Sequence, residues 1–161
     1  MNKERLIEKL SEANVRAVAR LITLIENEDP LSEEILKKVW NKTGKSYIIG
    51  ITGPPGAGKS TIVDSLAKYL VEKGKKVAVL AVDPTSPFSG GAVLGDRLRM
   101  TGAQSSGIFI RSVASRGHLG GLAATTRLLI NAVELLENDY TIVETVGAGQ
   151  GDVEIVKISD T

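Results

Sequence analysis

A chain of 161 residues with 42% hydrophobic and 24% charged residues has the size and composition of one globular domain. Lys and Arg number 20 against 19 Asp and Glu, so the net charge of +1 argues against nucleic acid or an anionic membrane as a partner. The sequence contains no cysteine, which excludes disulfides, thiolate zinc sites and cysteine nucleophiles. No apolar run approaches the ~20 residues that span a bilayer, and no signal-peptide pattern precedes the first amphipathic segment. These features predict a soluble cytoplasmic protein.

Two helices are predicted at the start of the chain. Apolar residues recur every three or four positions between residues 6 and 25, which is typical of one amphipathic helix. Asp29 and Pro30 then fit the cap and first turn of a second helix, which Gly44 would end. The apolar face of that second helix consists of Ile35, Leu36, Val39 and Trp40. We interpret residues 1–44 as a helical extension whose apolar faces pack into the core, with partner binding as the alternative.

Short apolar runs alternate with helical segments after residue 45. Buried strands are predicted at 47–52, 77–82, 108–110 and 140–144, and helices at 60–71, 122–136 and 153–158. In the first of these helices the residues expected to face inward are Ile62, Leu66, Tyr69 and Leu70. Alternation of this kind predicts an α/β domain over 45–161, with a mostly parallel sheet between two layers of helices. A further strand is expected after Thr161, so this domain is expected to be partial.

A glycine-rich motif lies between the first predicted strand and the helix that follows it. The sequence Gly53-Pro54-Pro55-Gly56-Ala57-Gly58-Lys59-Ser60 matches G-x-x-x-x-G-K-[ST], the phosphate-binding loop of P-loop NTPases. Its glycines permit tight turns, and its N–H groups converge on phosphate at the positive end of the helix. Lys59 supplies charge to the β- and γ-phosphates, Ser60 a hydroxyl to Mg²⁺, and Thr61 a hydroxyl near the first phosphate. Residues 53–61, here called the P-loop, therefore predict a site for a nucleoside triphosphate with Mg²⁺.

Acidic residues end two of the predicted strands. Asp83 follows the second strand and Glu144 ends the fourth, and the carboxyl ends of parallel strands face the binding crevice. Glu144-Thr145-Val146-Gly147 has the form of the D-x-x-G element of GTPases with Glu in place of Asp, and Gly147 would offer its N–H to the γ-phosphate. The alternative for Asp83 is a plain turn residue, since Asp-Pro often starts a turn. Asp96, taken alone, fits a solvated loop residue.

Through these residues and the segments around them, the chain closely resembles the MeaB/ArgK-type GTPases, which are chaperones of cobalamin-dependent acyl-CoA mutases. The resemblance covers nearly the whole sequence. The segments that carry it are 53–61, 82–88, 95–100, 117–123 and 143–150.

The resemblance implies a set of site residues. It implies GTP and GDP as ligands, with Lys59 and Ser60 on phosphate and Mg²⁺. It implies Asp83, Asp96 and Glu144 around the metal and the hydrolytic water, which gives Lys59, Asp96 and Glu144 as catalytic candidates. It also implies nucleotide-sensing switches at about 83–99 and 144–158.

The same resemblance implies a partner and an assembly. The partner is a methylmalonyl-CoA mutase or a related cobalamin-dependent acyl-CoA mutase. Family members form homodimers through a segment that follows the region matched here.

One motif of GTPases is absent from the sequence. Guanine is recognised by N-K-x-D, whereas Asn41-Lys42-Thr43-Gly44 has Gly in place of the Asp and precedes the P-loop. The preference for guanine over adenine thus comes from the resemblance alone. Two alternatives remain open: a P-loop kinase whose lid recruits Arg97, Arg99, Arg111 and Arg116, and a nucleotide-binding module without turnover.

Overall fold

The structure is a computed structural model, and it describes residues 2–83, 107–114, 121–145 and 155–161. Within these ranges helices and parallel strands alternate after an all-helical start. The elements are α1 (Lys3–Ser11), α2 (Val15–Glu26), α3 (Leu31–Val39), a 3₁₀ turn (Trp40–Lys42), β1 (Tyr47–Ile51), α4 (Lys59–Glu72), β2 (Val77–Asp83), β3 (Phe109–Ala114), α5 (Gly121–Glu134) and β4 (Tyr140–Thr145).

The prediction of a single helix over residues 6–25 is wrong, because two helices occupy that stretch. Ala13 has a φ of 54°, a left-handed conformation through which a right-handed helix cannot continue. Asn14 then caps α2, since its side-chain oxygen accepts a hydrogen bond of 3.1 Å from the N–H of Ala17. The predicted cap at Asp29 is confirmed by a 3.0 Å bond to its carboxylate from the N–H of Leu31, the first residue of α3.

The apolar face of α3 is confirmed except at its last residue. Ile35, Leu36 and Val39 are buried, but Trp40 is 58% exposed. The backbone of Val39 leaves helical values (φ −110°, ψ 8°), and the chain tightens into the 3₁₀ turn at Trp40. That change in winding turns the indole away from the face that the α-helical period had assigned to it.

The four strands form one parallel sheet in the order β1-β4-β2-β3. All four predicted strands are present, and β3 reaches further than its apolar run, to Ala114. In the central strand β4, Glu144 is paired with Ile51 of β1 on one side and Ala81 of β2 on the other. Because the strands are parallel, their carboxyl ends lie at a common edge, and Glu144 is at that edge.

Helices cover both faces of the sheet, which confirms the α/β three-layer class. On one face α4 packs against the sheet through Val63 and Ala67. The expectation that Ile62 and Tyr69 face inward is wrong, since each is 55% exposed, whereas Leu66 and Leu70 do pack against this cluster. Each helical residue turns by about 100°, so a contact centred on Val63 and Ala67 leaves Ile62 and Tyr69 at the side.

The opposite face holds a larger core that includes the N-terminal helices. Buried side chains of α1, α2 and α3 belong to the same cluster as those of α5 and the inner strands. Arg111 of β3 adds a polar contact, since its guanidinium donates to Glu26 of α2 at 3.0 Å. In this arrangement the helical extension shares the core of the sheet.

The segment between the extension and β1 is held by one buried carboxylate. Glu134, at the end of α5, is 4% exposed and accepts hydrogen bonds from three successive backbone N–H groups. The donors are Gly44 (2.6 Å), Lys45 (3.1 Å) and Ser46 (3.0 Å). This contact fixes where the chain enters the sheet at its amino edge.

The last described residues run beside β1. Asp160 donates its N–H to the carbonyl of Ile48 at 2.8 Å, and Gly50 donates to the carbonyl of Thr161 at 2.8 Å. Of the predicted helix at 153–158, residues 153 and 154 lie outside the described ranges, and only residues 155 and 156 have helical conformation. In the described part of the chain, no helix combines the length and the apolar character required to cross a membrane.

Candidate functional site

The P-loop lies at the carboxyl edge of the sheet and is open to solvent. Gly53, Gly56 and Gly58 have φ values of 145°, 76° and 84°, a region that residues with a Cβ rarely adopt. A Cβ added at Gly56 or Gly58 would meet no atom within 4 Å, so the backbone conformation alone calls for glycine there. Residues 54–58, which include Pro54, Pro55 and Ala57, are exposed. The loop therefore leaves room for a ligand on its outer side.

The side chain of Lys59 folds back over this loop. Its Nζ donates to the carbonyl of Gly53 at 2.8 Å and to that of Pro54 at 3.1 Å. Lys59 is also the first residue of α4, and the residue before it, Gly58, is an N-cap without a side-chain hydrogen bond. A positive side chain and the positive end of a helix dipole thus coincide, an arrangement that favours anions.

Ser60 and Glu144 meet beside the loop. The hydroxyl of Ser60, in the first turn of α4, donates to Oε1 of Glu144 at 2.6 Å. Glu144 is only 3% exposed, and its position in β4 delivers its carboxylate to the start of α4. A hydroxyl and a carboxylate are oxygen donors of the kind that Mg²⁺ prefers.

A second pair of side chains joins the same elements, and the sequence analysis missed it. The hydroxyl oxygens of Thr52, directly before the P-loop, and Thr145, the last residue of β4, are hydrogen-bonded at 2.9 Å. The parallel register pairs Ile51 with Glu144, so each threonine comes directly after a paired residue. That strand pairing is the signal by which the pair could have been found.

The other predicted site residues are described only in part. Thr61 is exposed in the first turn of α4, and Asp83 is the last residue of β2, paired in register with Ala114. Asp96 and Gly147 lie outside the described residues, as do most of the two predicted switches. The structure therefore brings Lys59, Ser60 and Glu144 together at the edge where β2 also ends.

Two further features concern metal and base recognition. Across residues 2–83, 107–114, 121–145 and 155–161, no three His, Cys, Asp or Glu side chains converge as metal ligands. The segment 41–44 lies at the amino edge of the sheet, where Lys42 donates to the carbonyl of Ser11 and Gly44 to Glu134. Segment 41–44 therefore resembles N-K-x-D in sequence only, since it does not lie beside the P-loop.

Comparison with known proteins gives a family match over most of the chain. Residues 18–161 match the family model "Methylmalonyl Co-A mutase-associated GTPase MeaB". A Pyrococcus abyssi protein named as a GTPase is 52% identical over 159 residues, covering 98% of this chain and 49% of its own length. The fused isobutyryl-CoA mutase of Geobacillus kaustophilus is 37% identical over 164 residues, which is 96% of this chain and 15% of that protein.

A solved structure shares the fold as well. The crystal structure of a LAO/AO transport system kinase superposes with a TM-score of 0.76 at 32% identity, covering 99% of this chain and 49% of the other. The chain spans about half the length of three curated relatives that it matches.

Proposed function

The chain belongs to the family of methylmalonyl-CoA mutase-associated GTPases of the MeaB type, and from that premise we propose that it binds GTP and GDP with Mg²⁺ and hydrolyses the terminal phosphate of GTP. The observation that carries the proposal is the 2.6 Å hydrogen bond between Ser60 and Glu144. It supports a site in which the P-loop hydroxyl and an acidic residue of the central strand share one ligand. Such a pairing is what a phosphate-bound Mg²⁺ requires of its protein partners.

The P-loop residues bind the phosphates. In the structure, Nζ of Lys59 donates to the carbonyls of Gly53 at 2.8 Å and Pro54 at 3.1 Å. When nucleotide binds, the same Nζ would donate to phosphate oxygens instead. Backbone N–H groups of the loop and of the first turn of α4 complete the cradle, with Thr61 near the first phosphate. A bound Mg²⁺ would neutralise charge on the β- and γ-phosphates.

The acidic residues hold the metal and orient water. Ser60 and Glu144 would hold a Mg²⁺ ion together with Asp83 and Asp96, and Gly147 would offer its N–H to the γ-phosphate. Of the proposed catalytic residues, Glu144 and Asp96 orient the attacking water and Lys59 stabilises charge on the transferred group. The burial of Glu144 supports its role, because buried charge interacts more strongly with a cation than exposed charge does.

We further propose that the protein is a cytoplasmic chaperone for a cobalamin-dependent acyl-CoA mutase. In support, the family description names methylmalonyl-CoA mutase, and the Geobacillus kaustophilus relative carries the matching region within a fused isobutyryl-CoA mutase. Residues 1–44 would serve as the helical extension and 45–161 as the nucleotide-binding part.

The test of nucleotide binding is titration with fluorescent GTP and ATP in the presence of Mg²⁺. We expect the wild-type chain to bind GTP and a Lys59→Ala variant to bind at least tenfold more weakly, since a charge-assisted contact contributes about 1.5–3 kcal/mol. Lys75→Ala is the matched control, because Lys75 is an exposed lysine on the turn after α4. Equal affinity of wild type and Lys59→Ala would contradict the phosphate site, and equal affinity for GTP and ATP would contradict the guanine assignment.

Phosphate release separates hydrolysis from phosphoryl transfer. The name of the solved relative, a transport system kinase, supports transfer to an acceptor as a second candidate. Release of inorganic phosphate without any added acceptor would support the GTPase. Formation of GDP without release of inorganic phosphate, with the phosphoryl group recovered on an added small-molecule acceptor, would support the kinase. Binding without turnover would support the nucleotide-binding module. Co-purification of the chain with a methylmalonyl-CoA mutase tests the partner.

A further inference from the structure

A cleft of about 430 Å³ lies between the turn that joins α2 to α3 and the first half of α5. Its volume falls within the range of pockets that hold small molecules. Ile25, which is 3% exposed, and Leu128 form an apolar part of its lining. None of its described lining residues belongs to the P-loop or to β4. The cleft is therefore a second cavity of ligand size, formed where the helical extension meets α5.

The charged part of this lining has one sign. The acidic residues that line the cleft are Glu28, Asp29 and Glu33, and the described lining includes no Lys or Arg. Asp29 directly precedes the N-cap of α3 and Glu33 lies in its first turn. Acids at the start of a helix interact favourably with its dipole, so these two have a structural role whether or not a ligand binds. Together they also give the cleft a negative potential that attracts cations.

A buried hydroxyl gives a second and independent indication of a ligand. Thr125 of α5 is 6% exposed and lines the same cleft. Among the described residues its hydroxyl has no hydrogen-bond partner, whereas the hydroxyl of Ser32 donates to the carbonyl of Asp29 at 2.7 Å. Buried polar groups are nearly always hydrogen-bonded. The oxygen of Thr125 can therefore accept a hydrogen bond from a donor that enters the cleft.

This lining suits an organic cation better than a metal ion. Within the described ranges no three acidic side chains converge closely enough to hold a metal. Separate carboxylates beside an apolar surface instead match separate ammonium groups that are joined by a hydrocarbon chain. A ligand with a carboxylate of its own would be repelled by the three acids, and no basic residue of the described lining could pair with it.

We propose that the cleft binds a linear aliphatic diamine, with putrescine as the compound to test. Its two ammonium groups pair with Asp29 and Glu33, and one of them also donates to the hydroxyl of Thr125. Its hydrocarbon chain lies against Ile25 and Leu128. The bound diamine links α3 to α5. The proposal does not depend on the proposed function, because the cleft and the P-loop are separate sites.

The experiment is calorimetric titration of the chain with putrescine and, separately, with butylamine, which keeps the hydrocarbon chain and lacks one ammonium group. Nucleotide is omitted, because diamines also pair with phosphates. We expect putrescine to bind at least threefold more tightly than butylamine. Asp29→Asn and Glu33→Gln should each weaken putrescine binding about twofold to fivefold, the range of an exposed ion pair. Asparagine caps a helix as well as aspartate does, so Asp29→Asn keeps the cap of α3.

Thr125→Val separates ligand binding from folding. The substitution keeps the shape of the side chain and breaks no hydrogen bond among the described residues, so the Tm without putrescine should not fall. Putrescine binding should weaken about threefold to tenfold, the range of one lost hydrogen bond. Glu72→Gln is the matched control for the loss of one negative charge, because Glu72 is exposed at the end of α4 and does not line the cleft.

Three results would overturn the proposal. Equal affinities for putrescine and butylamine would indicate a site for a single ammonium group, such as a lysine side chain of a partner protein. Equal weakening by Glu72→Gln and Glu33→Gln would indicate diffuse attraction by the net charge. Unchanged binding in Thr125→Val would remove the hydroxyl from the site. Titration of the same samples with fluorescent GTP and Mg²⁺ reports on the proposed function separately, so a chain that binds GTP and not putrescine loses this inference alone.

Discussion

Two glutamates in this chain are buried to the same degree and yet have different surroundings. Glu134, at the amino edge of the sheet, is 4% exposed, and Glu144, at the carboxyl edge, is 3% exposed. Glu134 accepts from three backbone N–H groups, those of residues 44–46. Glu144 accepts from the side-chain hydroxyl of Ser60.

The hydrogen-bond partner, and not the burial, distinguishes Glu134 from Glu144, the carboxylate that we propose to act at the nucleotide site. Backbone N–H groups cannot turn away from Glu134 unless the chain between the extension and β1 moves. The hydroxyl of Ser60 can turn toward another ligand by rotating about one bond, because a serine rotor is free to choose its acceptor. The amino edge of the sheet therefore holds the fold together, and the carboxyl edge can exchange partners.

Among the substitutions that test this difference, Glu134→Gln is expected to lower the free energy of unfolding the most. Both oxygens of Glu134 accept N–H donors, so an amide nitrogen in place of either oxygen would face a donor. We expect the free energy of unfolding to fall by about 2–3 kcal/mol, the size of a lost charge-assisted bond plus an unsatisfied buried donor. Urea denaturation measures it, with the exposed Glu72→Gln as the matched control. An unfolding free energy equal to that of the control would contradict a structural role for Glu134.

The same substitution at the other edge is expected to act on ligand binding instead. In Glu144→Gln the amide oxygen can still accept from Ser60, so the unfolding free energy should change by less than about 1 kcal/mol. Loss of the negative charge should raise the Mg²⁺ concentration needed for GTP binding about tenfold. Titration of Mg²⁺ at fixed fluorescent GTP measures this. If Glu144→Gln destabilised the chain as much as Glu134→Gln and left the Mg²⁺ requirement unchanged, the two glutamates would not differ in role.

The sequence predicted one of these edges far better than the other. The P-loop and Glu144 are local signals, since a motif between a strand and a helix, and an acid at a strand end, can be recognised without knowing the packing. The parallel sheet and its four strands follow from short apolar runs alternating with helices. These features depend on residues close together along the chain.

The amino edge and the helix details depend on contacts that the sequence does not display. Glu134 reaches residues 44–46 across about 90 positions, and nothing in its neighbourhood marks it as buried. The break at Ala13 is set by one backbone angle, and the exposure of Ile62 and Tyr69 by the rotation of α4 about its axis. The threonine pair at positions 52 and 145 becomes visible only once the strand register is known.

A third glutamate, Glu34, is exposed where Glu134 and Glu144 are buried, and its substitution is expected to have the smallest effect on stability. Glu34 of α3 pairs with Lys3 of α1, and both side chains are largely exposed. The hydrogen bond and the charge of Lys3 lower the pKa of Glu34 from its usual value of 4.5. A lowered pKa in the folded state means that the pair contributes stability above the unfolded pKa and loses it as the pH falls through the folded value.

We therefore expect Glu34→Gln to lower stability only slightly at pH 7 and not at all once the pH has fallen below the folded pKa of Glu34. Salt should remove most of the difference at pH 7, because exposed pairs are screened by ions while buried hydrogen bonds are screened much less. Thermal unfolding of wild type and Glu34→Gln over a series of falling pH from pH 7, each at low and high salt, measures both effects. Under the same salt series the effect of Glu134→Gln should persist. If added salt abolished the Glu134 effect as well, the bonds to residues 44–46 would behave as a surface ion pair, and the distinction between the two edges of the sheet would be lost.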